Sequence, residues 1–253
     1  MKRDVKRFCR IGFLLSILLI GTAGATAQVP LAEFDQALDA IPMASGDRIL
    51  AAIEAGLSRP GFPADGLLAL IRQIAPIPGA TEEKESILLM FARTLESGQS
   101  IDSLLPKGFE LASALEEGLP VEGILLEALK GIAQGSPISV IAGGITQRLI
   151  LLREVRDLLF SRGILRAAAG SPQTTPTALP EARFDQLVVQ IADAVSDYLE
   201  GGGGPFEGEE IYTLVSDRLH RLPESVVRPE DVSLVLDRIG PPDLTQVALA
   251  ALT

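Results

Sequence analysis

The sequence predicts an all-α protein: an array or bundle of short antiparallel helices with Gly-x-Pro/Ser turns, plus a small C-terminal helical unit. Three observations support this class. Aliphatic residues recur at three-and-four spacing, one turn sequence is repeated, and glycines return every 17 to 20 residues, an interval that fits one helix and one turn. The recurring glycines are Gly61, Gly79, Gly98, Gly118 and Gly135. The repeats are few, so both an extended array and an ordinary bundle stay open.

The repeated turn has residues suited to ending one helix and beginning the next. Gly61-Phe62-Pro63 is matched by Gly118-Leu119-Pro120. Glycine adopts the left-handed conformation that ends helices, and the apolar residue after it folds back onto the finished helix. Proline suits the first position of the next helix, and Ser100 at the equivalent place predicts a capping hydroxyl. Acidic residues follow in the first turn, where the helix dipole favours them: Asp65, Asp102 and Glu122.

Residues 1–27 are typical of a signal peptide. A head with five basic residues precedes an apolar stretch from Ile11 to Ile20, and Ala25-Thr26-Ala27 is a small-x-small cleavage site. This stretch is short for a membrane span, and an uncleaved anchor is the alternative. We predict export to the periplasm or the extracellular space, with no membrane span after signal cleavage. The single cysteine, Cys9, lies in this segment, so the rest has no disulfide and no thiolate metal site.

Composition and charge restrict the classes of partner. The 253 residues carry a formal net charge of −11, which becomes −15 without the five basic residues and one acid of residues 1–27. An acidic surface opposes nucleic acid, because neutralisation of phosphates dominates that binding. With no Trp and two Tyr, stacking on bases or sugars has little support. A protein partner is the class that the composition favours.

Three parts follow the signal segment. Residues 28–169 hold the glycine repeats and end in a long helix predicted over 138–166, in which Gly143-Gly144 implies a kink or a very close neighbour. Residues 170–182 contain three prolines with Ser and Thr, which favours an extended linker. Residues 183–253 predict a small unit near the lower size limit for folding alone. Its predicted helices cover 184–200, 211–221, 229–238 and the stretch from 241.

Polar residues in the C-terminal unit form two candidate sites with simpler interpretations. The single histidine, His220, follows Ser216-Asp217 on one helix face, which suits a hydrolytic constellation or, more simply, a stabilised helix end. Asp193, Asp197 and Glu200 share a face, which suits a cation site or, more simply, a solvated acidic surface. We therefore predict no catalytic, cofactor-binding or metal residues.

Five arginines fall within 19 positions of an otherwise acidic chain. This local positive surface predicts docking of an acidic partner or of the protein's own acidic C-terminal unit. The alternative is a salt-bridged helix, in which Arg153 pairs with Asp157. The five candidate docking residues are Arg148, Arg153, Arg156, Arg162 and Arg166.

The resulting functional prediction is an exported, non-catalytic helical protein that acts as an interaction or scaffold module in the cell envelope. Such an array offers an extended or concave surface to a protein partner. The alternative is an envelope hydrolase in which carboxylates from different segments converge as general acid and base. The two differ in whether acidic side chains meet in a polar cleft.

Overall fold

The computed structural model describes residues 29–164, 181–202 and 208–252, and within these ranges the chain is entirely helical, with no strand. The predicted all-α class is confirmed. The predicted signal segment and nearly all of the predicted linker lie outside the described residues. The helices, in chain order, are α1 Leu31–Leu38, α2 Gly46–Leu57, α3 Ala64–Ile74, α4 Thr81–Glu96, α5 Leu105–Glu116, α6 Glu122–Ala133, α7 Ile138–Ser161, α8 Glu181–Glu200, α9 Gly208–His220, α10 Pro229–Arg238 and α11 Pro241–Ala250.

The first seven helices pack in two rows. Helices α2, α4 and α6 form an even row, and α1, α3, α5 and α7 form an odd row, with each helix packed on the one two positions along. The pairs α1–α2 and α6–α7 join the rows. This repeating pattern is that of a stacked array, in which each unit contacts its neighbours. Its last helix, α7, ends the odd row.

The long helix α7 is buried on two sides. Its predicted apolar face is buried along the whole length, and Leu151, which lies on another face, is completely buried. Helix α7 packs on α5 and α6 of the array and on α8 and α11 of the C-terminal unit. The residues of the predicted face are Ile141, Ile145, Leu149, Leu152, Val155 and Leu159.

All five recurring glycines are left-handed, with φ between 66° and 79°. Three of them, Gly98, Gly118 and Gly135, directly follow the C-cap of a helix as the turn sequence predicts. Gly61 and Gly79 lie four and five residues after the ends of α2 and α3 and do not end a helix.

At Gly118 the amide donates to the Leu115 carbonyl at 3.0 Å, and the Leu119 amide donates to the Ala114 carbonyl at 2.8 Å, which satisfies two carbonyls of the last turn. The same pair of bonds closes α7 at Gly163, with φ of 68°. Helix α7 therefore ends at residue 161, and the predicted extension to 166 is wrong.

The helix starts differ in detail from the prediction. Pro63 is the N-cap of α3 and Pro120 lies two residues before α6, so neither occupies the first helical position. Ser100 does not cap α5, which begins five residues later; its hydroxyl accepts the Asp102 amide at 3.2 Å within the preceding turn. Pro106 instead lies in the first turn of α5, where the lack of an N–H has no cost.

The glycine pair within α7 has open space around it. The helix is continuous through Gly143 and Gly144, and a Cβ built on either residue would meet nothing within 4 Å. The expectation of a close neighbour is therefore wrong for the described residues. Both glycines are exposed on the surface of the helix.

We expect Gly118→Ala to lower the free energy of unfolding by about 1–2 kcal/mol. The left-handed conformation brings a Cβ too close to the following carbonyl oxygen, and alanine does not avoid this cost. Gly143→Ala is the matched control and should stabilise by about 0.5–1 kcal/mol, because that glycine is helical and has open space around it. Urea unfolding followed by circular dichroism measures both. Two changes of the same sign would contradict the expectation.

The C-terminal unit is docked on the end of the array. Helix α8 packs along α7, α9 packs on α8, and α11 contacts α7, α8 and α9, while α10 packs on α9. Helices α7 and α8 run antiparallel: the rings of Phe160 and Phe184 have centroids 6.1 Å apart, and Arg148 reaches Asp193 at the other end. Helix α8 begins at residue 181, within the range predicted as linker. None of the described helices combines the length and the hydropathy that crossing a membrane requires.

Candidate interaction surface

Arg148 joins the array to the C-terminal unit. Its Nη1 lies 2.8 Å from Oδ1 of Asp193 on α8, and its Nη2 lies 3.2 Å from Oε1 of Glu127 on α6. Burial opposes the charge of this guanidinium, but the two carboxylates outweigh burial and raise the pKa of Arg148 above its ordinary value. The side chain is therefore a charged link between three helices.

The chain of charges continues onto α9 through Arg218. Its Nη2 lies 3.4 Å from Asp193, its Nη1 lies 2.5 Å from Asp197, and its Nε donates to Gln190 at 3.0 Å. A guanidinium thus occupies the position between the two aspartates at which a cation site would place its ion. The third acid of that predicted face, Glu200, accepts a hydrogen bond from a serine on α8. Among the described residues no three metal-ligating side chains cluster together.

Arg153 and Arg156 hold the C-terminal end of α5. Both guanidiniums bind the Glu117 carboxylate, with nitrogen–oxygen distances of 2.9 Å and 3.1 Å, and Arg156 also donates to the Glu117 carbonyl at 3.3 Å. The predicted partner of Arg153 was Asp157, which instead lies 3.6 Å from Arg156. An acid at a helix C-terminus opposes the dipole, and the two guanidiniums compensate for this.

The fourth arginine, Arg162, forms an ion pair with Asp243 on α11. In return, Arg238 from α10 donates to the carbonyls of Arg162 and Gly163 at 3.1 Å and 2.9 Å. Arg166 lies outside the described residues. The four described arginines therefore bind acids within the chain, two of them in the C-terminal unit. Docking of an external acidic partner on this surface stays a prediction.

We expect Glu117→Gln to reduce the pH dependence of stability. Hydrogen bonding from Arg153, followed by the charges of both arginines, lowers the pKa of Glu117, and burial opposes this only in part. The folded pKa is below the unfolded value of about 4.3, so the contribution is present above that pH and is lost as pH falls through the folded value. Urea unfolding at pH 7 and pH 3 should show a smaller difference for the variant. If the free energy of unfolding changes between pH 7 and pH 3 as much as in the wild-type chain, the expectation is contradicted. Glu122→Gln is the exposed control.

His220 belongs to a helix end rather than to a catalytic constellation. Its Nδ1 lies 2.8 Å from the backbone carbonyl of Ser216, one turn earlier on α9. Asp217 points to Arg221, 4.0 Å away, and not to the imidazole. The Ser216 hydroxyl also lies 3.4 Å from Nδ1, but Asp217 and His220 are exposed, and the arrangement matches the simpler of the two sequence interpretations.

A groove between α6 and α7 is the feature that sequence reasoning missed. It consists of two adjoining cavities of about 130 Å³ and 100 Å³, which share Ile124, Glu127 and Arg148. The second cavity is bounded on one side by Val189 and Ala192 of α8. The remaining lining residues are Ala128, Ile141, Gly144 and Ile145 in the first cavity and Pro120, Gly123, Leu152 and Asp193 in the second.

The rim of the groove is open and its floor is aliphatic. The floor residues Ile141 and Ile145 are at most 8% exposed, whereas Gly144, beside them, is exposed. The sequence signal for this surface was the glycine pair in α7, whose exposure could not be inferred from the helix pattern alone.

Comparison with known proteins gives no relative from which a role can be transferred. No protein-family model matches the chain, and neither a curated protein nor a solved structure matches it. A function is therefore inferred from the helices, the ion pairs and the groove themselves.

Proposed function

We propose that this chain is an exported, non-catalytic helical protein that acts as an interaction or scaffold module in the cell envelope. The signal-peptide pattern of residues 1–27 supports export. The main support for the interaction role is that the last helices of the two rows are covered to different extents. The last helix of the odd row, α7, is covered by α8 and α11, whereas the even row stops at α6 beside an open aliphatic groove.

The size of the groove favours side chains over a small molecule as its occupants. Pockets for small molecules usually enclose about 300–1,000 Å³, and each cavity here is smaller. The principal polar group, Arg148, already has two carboxylate partners. A mostly aliphatic floor with a charge-paired rim is typical of the buried centre and polar rim of a protein interface.

At the α6–α7 groove the hydrolase alternative has less support, although Asp35, Asp39 and Asp47 line a separate cavity of about 340 Å³. Carboxylates from different helices do converge, since Glu127 and Asp193 both bind Arg148. Both share one guanidinium, which is the arrangement of a structural ion pair. A general acid and base would need to face a space that holds a substrate, within hydrogen-bond reach of its reacting atoms.

A pull-down from the native envelope tests the proposed function. Residues 28–253 serve as bait, captured proteins are identified by mass spectrometry, and a broad hydrolase screen is run on the same preparation. We expect one partner to be captured reproducibly and no turnover. Absence of any partner, together with turnover, would overturn the interaction role in favour of the hydrolase.

A further inference from the structure

We propose that the α6–α7 groove binds an amphipathic helix of a protein partner, and that this helix has an apolar stripe flanked by basic residues. The proposal deepens the interaction role and depends on it.

The packing rule of the array places a helix at the groove. Helix α6 packs on α4, as α4 packs on α2, and the next helix of the even row would lie on the other side of α6. The chain turns away at this point, because α8 packs on α7 and reaches only the edge of the groove through Val189, Ala192 and Asp193. The described part of the chain therefore leaves this position in the row without a helix. A partner helix there would continue an interface that the array already uses.

The floor is suited to the side chains of one helix. The two cavities adjoin and share Ile124, so they lie close enough for apolar side chains about one helical turn apart. Gly144 stands at the rim of the first cavity and Gly123 at the rim of the second, and a Cβ on either would meet nothing within 4 Å. The backbone of a docked helix can therefore approach both α6 and α7 closely.

The charge of the residues around the groove determines which kind of partner helix fits it. The charged residues that line the groove are Glu127, Asp193 and Arg148, a net charge of −1, and 63% of the Glu127 side chain stays exposed. Glu122, at the start of α6, is exposed as well. Basic residues flanking the apolar stripe of the partner complement these acids. A second copy of this chain is disfavoured, because two chains with a formal net charge of −11 repel one another.

Photo-crosslinking from the groove tests the proposal. The chain carries the photo-crosslinker p-benzoylphenylalanine in place of Gly123, is mixed with solubilised native envelope and is irradiated, and the linked peptides are sequenced by mass spectrometry. Gly144→Gln, introduced as a second change, fills the rim and should reduce crosslinking at least tenfold. Gly143→Gln is the matched control on the same helix, does not line the groove and should leave crosslinking within twofold. A third chain carries the crosslinker in place of Leu214, which is exposed on α9 away from the groove.

The proposal is supported if the linked peptide has apolar residues at helical spacing and flanking Lys or Arg. The crosslink must also disappear with Gly144→Gln and persist with Gly143→Gln. A linked peptide from this chain itself, an acidic peptide, a lipid adduct, or equal loss with both glutamine variants would overturn the groove assignment. Crosslinks to a protein from the Leu214 position alone would also overturn it while leaving the interaction role intact. No crosslink from either position, together with hydrolytic turnover, would overturn both.

Discussion

Replacing Lys84 with methionine is expected to lower the free energy of unfolding by about 2–3 kcal/mol. Lys84 is 5% exposed, and its ammonium donates to the backbone carbonyls of Ala75, at 3.2 Å, and Ile77. These carbonyls lie at and just beyond the C-terminal end of α3, where the helix dipole favours a positive charge. Methionine keeps the apolar length of the side chain but removes the donor to the buried Ile77 carbonyl, at about 1–3 kcal/mol, and the donor to the half-buried Ala75 carbonyl, whose loss costs less.

The sign of the effect depends on two opposing costs. Burying an ammonium is unfavourable, and a buried ionic group can sometimes be replaced by an apolar one without loss. That neutrality requires both partners of the interaction to be removed, and here the carbonyls belong to the backbone and stay. Urea unfolding at pH 7 measures the difference. Lys130→Met, at an exposed position on α6, is the control and should change stability by less than about 0.5 kcal/mol. A Lys84 variant as stable as the wild-type chain would contradict the argument.

Lys84 also shows where the sequence stops being informative. It lies among the glutamates at the start of α4, where the helix dipole favours acids, and nothing in that stretch indicates a buried cation. Its partners come from the preceding turn, and Glu85 next to it accepts the amide of Ser45 at 2.8 Å from α2. These contacts depend on how α4 packs against α2 and on the path of the turn after α3, which helix periodicity does not specify.

Features decided within one turn were predictable. The left-handed conformation of Gly118 follows from two hydrogen bonds within seven residues of chain, so the local sequence is sufficient. The end of α7 was missed although the same chemistry operates at Gly163, because the aliphatic pattern continues past that glycine. Partners of the arginines were not predictable, since Arg153 binds Glu117, 36 residues away, rather than a neighbour on its own helix. The groove was missed for the same reason, as it exists only once α6 and α7 are packed.

Leu151→Ala is expected to lower the free energy of unfolding by about 2–5 kcal/mol, the range for a buried leucine whose removal leaves a cavity. Leu151 is completely buried although it lies off the apolar face that α7 presents to the array. It is one turn from Arg148, which binds Asp193 of α8. We therefore expect the helices of the C-terminal unit that pack on α7 to account for its burial, and its truncation to loosen the junction between the two parts of the chain.

The two tyrosines make this junction directly observable. Tyr198 and Tyr212 are the only tyrosines of the chain, there is no tryptophan, and both tyrosines lie in the C-terminal unit. Tyrosine fluorescence therefore follows that unit, whereas far-ultraviolet circular dichroism follows every helix. If the docked parts unfold together, both signals have the same midpoint in the wild-type chain and shift together in Leu151→Ala. With the exposed control Leu126→Ala, the free energy of unfolding from either signal should change by less than about 0.5 kcal/mol. If the tyrosine transition stays in place while the circular dichroism transition shifts, the C-terminal unit is stable without the array. The contacts of α8 and α11 with α7 would then join two separately folded bodies.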